Sequence, residues 1–177
     1  MRRYDLCVIG SGPAGQKAAI QAAKLGKSVC VVERQRVVGG AALNTGTIPS
    51  KSLREAILNL TAGKSPESPG APDMNAPDTP GRRREIRIQE LTSYCSHIIA
   101  AEVSVATRHL QQNDIDVIHG RASFVDRSSV KVANDHGGTE LVGADHFVIS
   151  VGTRPARPEN IPFDDNVIVD SDSLLRR

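Results

Sequence analysis

At 177 residues the chain is long enough to bury one hydrophobic core, and its net charge of +2 is too small to mark a nucleic-acid partner. The one basic cluster, Arg82-Arg83-Arg84, sits in a proline-rich stretch, where a solvated loop accounts for it better than a binding patch. No apolar run reaches the ~18 residues of a membrane span, and the sequence enters an apolar strand directly after Met1-Arg2-Arg3, leaving no room for a signal peptide. Three cysteines without paired spacing, Cys7, Cys30 and Cys95, fit a reduced, cytoplasmic protein.

The first predicted element is a buried strand over Tyr4-Asp5-Leu6-Cys7-Val8-Ile9. It runs into Gly10-Ser11-Gly12-Pro13-Ala14-Gly15, which opens a helix extending to about Leu25. Pro13 suits a first helical turn, Ala14, Ala18, Ala19, Ala22 and Ala23 let the helix lie close on a sheet, and Gly26 supplies the stop. A second strand, Val29-Cys30-Val31-Val32, follows and finishes on Glu33. Strand, glycine turn, helix and acid-tipped strand together make the βαβ unit that binds the ADP half of FAD or NAD. In it Gly10 permits the tight turn, Gly12 admits a pyrophosphate to the backbone, and Gly15 lets helix and strand approach. The helix N-terminus offers unpaired N–H groups to phosphate. Glu33, about 20 residues on, stands where a carboxylate would accept the ribose hydroxyls. An acid at a strand end is expected to lie outside the core.

A second helix is predicted from near Ser50, carrying Leu53, Ala56, Ile57 and Leu60. Residues 62–84 change composition abruptly and read as a Pro-rich flexible surface insertion, unable to bury enough apolar area to offset ordering. A long helix from about Glu85 or Gln89 to Gln112 sets Leu91, Tyr94, Ile98, Ala101 and Val105 on one side, for packing against the second helix. Short strands are expected at Ile115–His119, Ser123–Val125, Ser129–Ala133 and Leu141–Val142, then a buried strand at His146–Ser150 running into Val151-Gly152. The five histidines show no ligand spacing with cysteine or carboxylate, so no metal is assigned, and no nucleophile elbow is present.

The segment Gly39-Gly40-Ala41-Ala42-Leu43-Asn44-Thr45-Gly46-Thr47-Ile48-Pro49-Ser50-Lys51 resembles the flavin-facing segment of the two-dinucleotide-binding flavoproteins, the family of dihydrolipoamide dehydrogenase and glutathione reductase. The resemblance runs from Tyr4 to about Ser173, apart from the proline-rich stretch. Disulfide reductases of that family carry two cysteines in this segment. Ala42 and Thr47 stand there instead, and neither can form a thiolate. Gly-Thr-Ile-Pro-Ser-Lys at Gly46–Lys51 and the run Ser11–Lys27 are similar to the family's thiol-free transhydrogenase branch.

The resemblance implies an α/β fold with a Rossmann-like FAD-binding βαβ core, a helical excursion and a small β-meander. It also implies specific contacts. Gly10, Ser11, Gly12, Pro13, Ala14 and Gly15 would hold the FAD pyrophosphate, and Glu33 the adenosine ribose. Arg34, Gly39 and Gly40 would follow the cofactor outward to a flavin at Thr45, Gly46 and Lys51. Lys51 is the expected catalytic cation, placed to stabilise negative charge on reduced flavin. Gly120-Arg121-Ala122 would lie along the adenine, and Ser150-Val151-Gly152 would form a second FAD-contacting turn.

Only one glycine fingerprint occurs in these residues, whereas the family also uses a nicotinamide-binding domain and a dimerisation domain. The chain therefore reads as the N-terminal FAD-binding part of a truncated two-dinucleotide-binding flavoprotein. NAD(P) would bind only if a second domain or a separate chain supplied its site. Three readings stand at this point. The first is an FAD-dependent oxidoreductase moving hydride between NADPH and NAD without redox cysteines. The second is a non-catalytic FAD-binding fragment, or one part of a split flavoenzyme. The third is a simple NAD-binding domain, disfavoured by the excursion and the Lys51 motif.

Overall fold

A computed structural model describes residues 1–61 and 88–174. The opening βαβ unit forms as β1 (Arg2–Ile9), α1 (Pro13–Lys24) and β2 (Val29–Glu33). Helix α1 starts with Gly12 as its N-cap and Pro13 in its first turn. It ends in a Schellman motif: Gly26 N–H donates to Ala23 O at 2.9 Å and Lys27 N–H to Ala22 O at 3.2 Å. Gly26, at φ +74°, takes the left-handed position this ending requires. The later elements are α2 (Gly40–Asn44), α3 (Thr47–Thr61), α4 (Ile88–Gln111), β3 (Asp116–His119), β4 (Arg121–Phe124), β5 (Ser129–Ala133), β6 (Thr139–Ile149) and α5 (Ser171–Leu174). The proline-rich stretch read at 62–84, with Arg82-Arg83-Arg84, lies outside the described residues.

The strands form one sheet in the order β3-β2-β1-β6-β5-β4. The first four are mutually parallel, and β5 and β4 continue the sheet antiparallel. The central strands are apolar on both faces. Cys7, Val8, Cys30 and Val31 are wholly buried, as strands covered on both sides must be. Two cysteines thus serve as small core hydrophobes in paired register.

One sequence expectation is corrected here. The separate strands expected at Leu141–Val142 and His146–Ser150 are one 11-residue strand, β6, which pairs with β5 along its first half and with β1 along its whole C-terminal part. Gly143, Ala144 and Asp145 look like a break, but Ala144 N–H donates to Ser128 O at 2.9 Å and Asp145 pairs with Arg3 at 2.6 Å. The expected meander is therefore an extension of the main sheet. No element was assigned from sequence to Gly40–Asn44, which forms the short helix α2.

The chain forms two compact units. The first, Met1–Leu43 with Glu102–Arg154, holds the sheet and α1. The second, Asn44–Ala101 with Pro155–Arg177, holds α3 and the first part of α4. In the second unit α3 and α4 pack together, as their spacing leads one to expect, through Ala56, Leu91 and Cys95 with Leu53, Ile98 and Ile99. The expected face of α4 shifts along its length. Cys95 joins Leu91 in the buried line, whereas Ala106 and Leu110 are buried farther on, with Ala101 and Val105 exposed. The segment after Pro155 folds around Arg157. Its guanidinium bonds to Asp170 at 2.7 Å and to Asp165, and it lies 5.3 Å over the Phe163 ring. Those bonds hold both aspartates below the usual carboxylate range.

Candidate dinucleotide site

The parallel order places the glycine turn where ligands bind in such sheets. From β1 the chain crosses to β2 on one side, and the last parallel strand, β6, adds on the other. The crevice at the carboxyl end of β1 is the switch point. Three strand ends are tied together there. Gly10 N–H donates to Val32 O at 2.8 Å, Ser150 N–H to Ile9 O at 2.8 Å, and Gly120 N–H to Glu33 O at 2.8 Å. The Ser150 hydroxyl adds bonds to the carbonyls of Ile9 and Gly10, each at 3.1 Å. The glycine turn, the β3–β4 turn and the end of β6 thus meet in the first unit.

The glycines of the turn differ in what holds them. Gly10 sits at φ +106°, and a Cβ on it would lie 2.4 Å from Ser150 O. On Gly15 a Cβ would lie 1.9 Å from Gly10 O and 2.7 Å from Ser150 Oγ. Packing within the protein therefore requires glycine at both. Gly12 is the opposite case. Its backbone is extended (φ −66°, ψ 178°), a conformation open to any residue, and a Cβ there meets nothing within 4 Å. Neither strain nor neighbours within the protein require glycine at that position. Beside it the N–H groups of Gly12, Ala14 and Gly15 have no partner among the described residues. Pro13 has no N–H to contribute. Three amide donors and an open face at the start of a 12-residue helix suit an anion such as a pyrophosphate.

Glu33 departs from expectation. It is only 5% exposed, so the view that an acid at a strand end lies outside the core is corrected. Its Oε2 accepts from Ser11 N–H at 2.9 Å and from the Ser11 hydroxyl at 2.5 Å, and its Oε1 accepts from Gln35 N–H at 2.8 Å. Ser11 is itself fully buried. Its hydroxyl accepts from Gly39 N–H at 3.1 Å, and its carbonyl accepts from the Gln16 side chain at 2.8 Å. The carboxylate thereby joins the glycine turn to the end of β2. Burial of a charge is tolerated because three donors replace its lost hydration.

Other expected site residues are placed as follows. Arg34 is exposed immediately after Glu33, and Gly39 and Gly40 follow in the same unit; a Cβ on Gly40 would lie 2.9 Å from Gly12 Cα. Arg121 is exposed and Ala122 half-buried at the start of β4, next to Gly120, whose amide reaches β2. Val151 and Gly152 are exposed after β6. Thr45, Gly46 and Lys51 belong to the second unit. There Gly46 O accepts the first helical bond of α3, from Ser50 N–H at 3.0 Å, and the Lys51 side chain is exposed. Three participants were not singled out from sequence: Gln16, Gln35 and His119, whose Nδ1 is 2.9 Å from Gln35 O. No motif marks them; only the proximity of Gln16 and Gln35 to Ser11 and Glu33 hints at a role.

Among the described residues no group of histidines, cysteines and carboxylates could hold a metal ion, and no helix is long and apolar enough to cross a membrane.

The chain is similar to known proteins. The soluble pyridine nucleotide transhydrogenase of Mycobacterium tuberculosis is 46% identical over 99% of this chain and 36% of its own length. The enzyme of the same name from Pseudomonas aeruginosa is 36% identical over 97% of this chain. The chain thus spans only about a third of such relatives. In fold it is similar to the HOCl-induced flavoprotein disulfide reductase RclA from Escherichia coli, solved as a Cu(II) complex. The TM-score is 0.76 at 23% identity, over 100% of this chain and 35% of that one. The family described as pyridine nucleotide-disulphide oxidoreductase matches residues 4–176, and the chain belongs to that family.

Proposed function

We propose that the chain is the FAD-binding part of an oxidoreductase of the transhydrogenase type, working in the cytoplasm, with its NAD(P) site supplied by a further domain or a separate chain. The observation that carries this reading is Gly12: a glycine that the fold does not require, beside three unpartnered amides, at a switch point. A pyrophosphate lying against the backbone there would explain the missing side chain. In this reading Pro13 and Ala14 complete the phosphate turn, and Glu33 addresses the adenosine ribose. Arg34, Gly39, Gly40, Arg121, Ala122, Ser150, Val151 and Gly152 line the cofactor's course. Thr45, Gly46 and Lys51 attend the flavin, with the Lys51 ammonium as the cation for negative charge.

Bound flavin would supply hydride transfer between NADPH and NAD. The protein's share is to bind, orient and balance charge, because Ala42 and Thr47 bring no thiolate. The 46% identity to a transhydrogenase supports this type over a disulfide reductase. The alternative reading is a non-catalytic FAD-binding fragment or one part of a split flavoenzyme. Purification without added cofactor, followed by a visible spectrum and an assay with glutathione disulfide, tests the proposal. A flavin spectrum without disulfide reduction is expected. Disulfide reduction would contradict the thiol-free assignment.

A further inference from the structure

The peptide unit between Gly10 and Ser11, through which β1 passes the chain to α1, is held at both ends by different strands. Its N–H donates to Glu33 Oε2, at the end of β2, at 2.9 Å. Its carbonyl accepts from the Ser150 hydroxyl, just past the end of β6, at 3.1 Å. Among the described residues no other group donates to Gly10 O. The same hydroxyl lies 3.1 Å from Ile9 O, and it has one proton to share between the two carbonyls. Ile9 O also accepts Ser150 N–H at 2.8 Å, so it keeps a partner without the hydroxyl, whereas Gly10 O does not. Gly10 stands at φ +106°, and a glycine leaves the orientation of the next peptide freer than any other residue would. A single orientation there depends on the partners at its two ends. Ser150 Oγ is seated within the turn, 2.7 Å from where a Cβ on Gly15 would lie.

We infer that Ser150 is a positioning residue for the dinucleotide site: its hydroxyl fixes the Gly10–Ser11 peptide and so aims the amides of Gly12, Ala14 and Gly15 at a pyrophosphate, without touching the ligand itself. The inference rests on the glycine turn being the FAD site. Donors already in place bind without first being ordered, so a looser turn costs affinity. The pairing of β6 with β1 runs through backbone partners from Arg2 to Ile9 and does not need the hydroxyl. A hydroxyl that merely fastened β6 to β1 would lower the melt of the protein but leave the affinity of its folded form unchanged.

The test compares the 177-residue chain with its Ser150→Ala variant by NMR amide exchange without ligand, urea melts and flavin-fluorescence titration with FAD. In Ser150→Ala the Ser11 N–H should exchange about 3- to 10-fold faster, and FAD should bind more weakly by a similar factor, the range of one neutral hydrogen bond. The melts establish that the variant is folded under the titration conditions. If it is not, Ser150→Cys, which keeps the bulk of the side chain with a weak donor, takes its place with the same expectation in direction. Unchanged FAD affinity in the folded variant would overturn the inference, whatever the melt shows. Weaker FAD binding with unchanged exchange at Ser11 would also overturn it, by making Ser150 a direct ligand contact. Absence of FAD binding by the wild-type chain would remove the underlying reading and the inference with it.

Discussion

At the scale of single residues, the glycine turn separates glycines needed by the fold from one left for a ligand. A methyl at Gly15 would meet Gly10 O at 1.9 Å, so Gly15→Ala should destabilise the protein by about 1–3 kcal/mol or prevent folding. Gly12→Ala meets nothing within 4 Å and should lower stability by no more than the ~1 kcal/mol of a weakened N-cap, yet weaken FAD binding on the order of tenfold or more. Urea melts of both variants, with flavin titration of the second, check this. A Gly12→Ala protein with full FAD affinity would contradict the assigned role. Glu33→Ala strips acceptors from two backbone amides and the buried Ser11 hydroxyl. It should lower unfolding free energy by about 2 kcal/mol or more. An unchanged urea midpoint would show that the clasp contributes nothing. The glycine spacing was legible in the sequence because Gly10 and Gly15 answer a geometric need of the turn, a Cβ on Gly10 lying 2.4 Å from Ser150 O and one on Gly15 1.9 Å from Gly10 O. The ties of Glu33 were not, because they depend on where Ser11 and Gln35 come to lie once two strands are side by side.

At the scale of elements, β1, α1 and β2 were legible because short continuous apolar runs, a glycine turn and an alanine-rich helix signal themselves locally. The continuity of β6 was not. Its middle, Gly143-Ala144-Asp145, has poor strand propensity and is held by partners far away in sequence, Ser128 and Arg3. The buried face of α4 was only partly legible, since Cys95 and Ala106 carry too little hydrophobicity to mark a stripe. Another long-range tie is Tyr4, on β1, whose hydroxyl donates to Asp116 on β3 at 2.6 Å. Burial, with that bond next, pushes the Tyr4 hydroxyl up to about 12. Because the folded state favours the protonated phenol, this stabilisation is complete below pH about 10 and lost as pH rises toward 12. Tyr4→Phe should abolish that alkaline slope in thermal melts. Persistence of the slope in the variant would assign it to another group.

At the scale of the whole molecule, the family was legible from two motifs: the fingerprint at Gly10–Gly15 and the segment Gly39–Lys51. The first has its geometric counterpart in one compact unit, at the switch point of a six-stranded sheet. The second begins in that unit and continues into the other, so the role of Lys51 rests on the resemblance rather than on packing. Nothing in the sequence's local periodicity announces that the meander strands extend the same sheet, since antiparallel addition at β6 is decided by register with β5.

The central claim is that the glycine turn holds FAD. Its most direct test is a paired titration of the purified chain with FAD and with NAD, following flavin fluorescence for the first and heat of binding for both. Saturable FAD binding with a changed flavin signal is expected, with NAD binding at least about tenfold weaker, a difference of about 1.4 kcal/mol. Tighter binding of NAD, with no flavin signal on adding FAD, would contradict it.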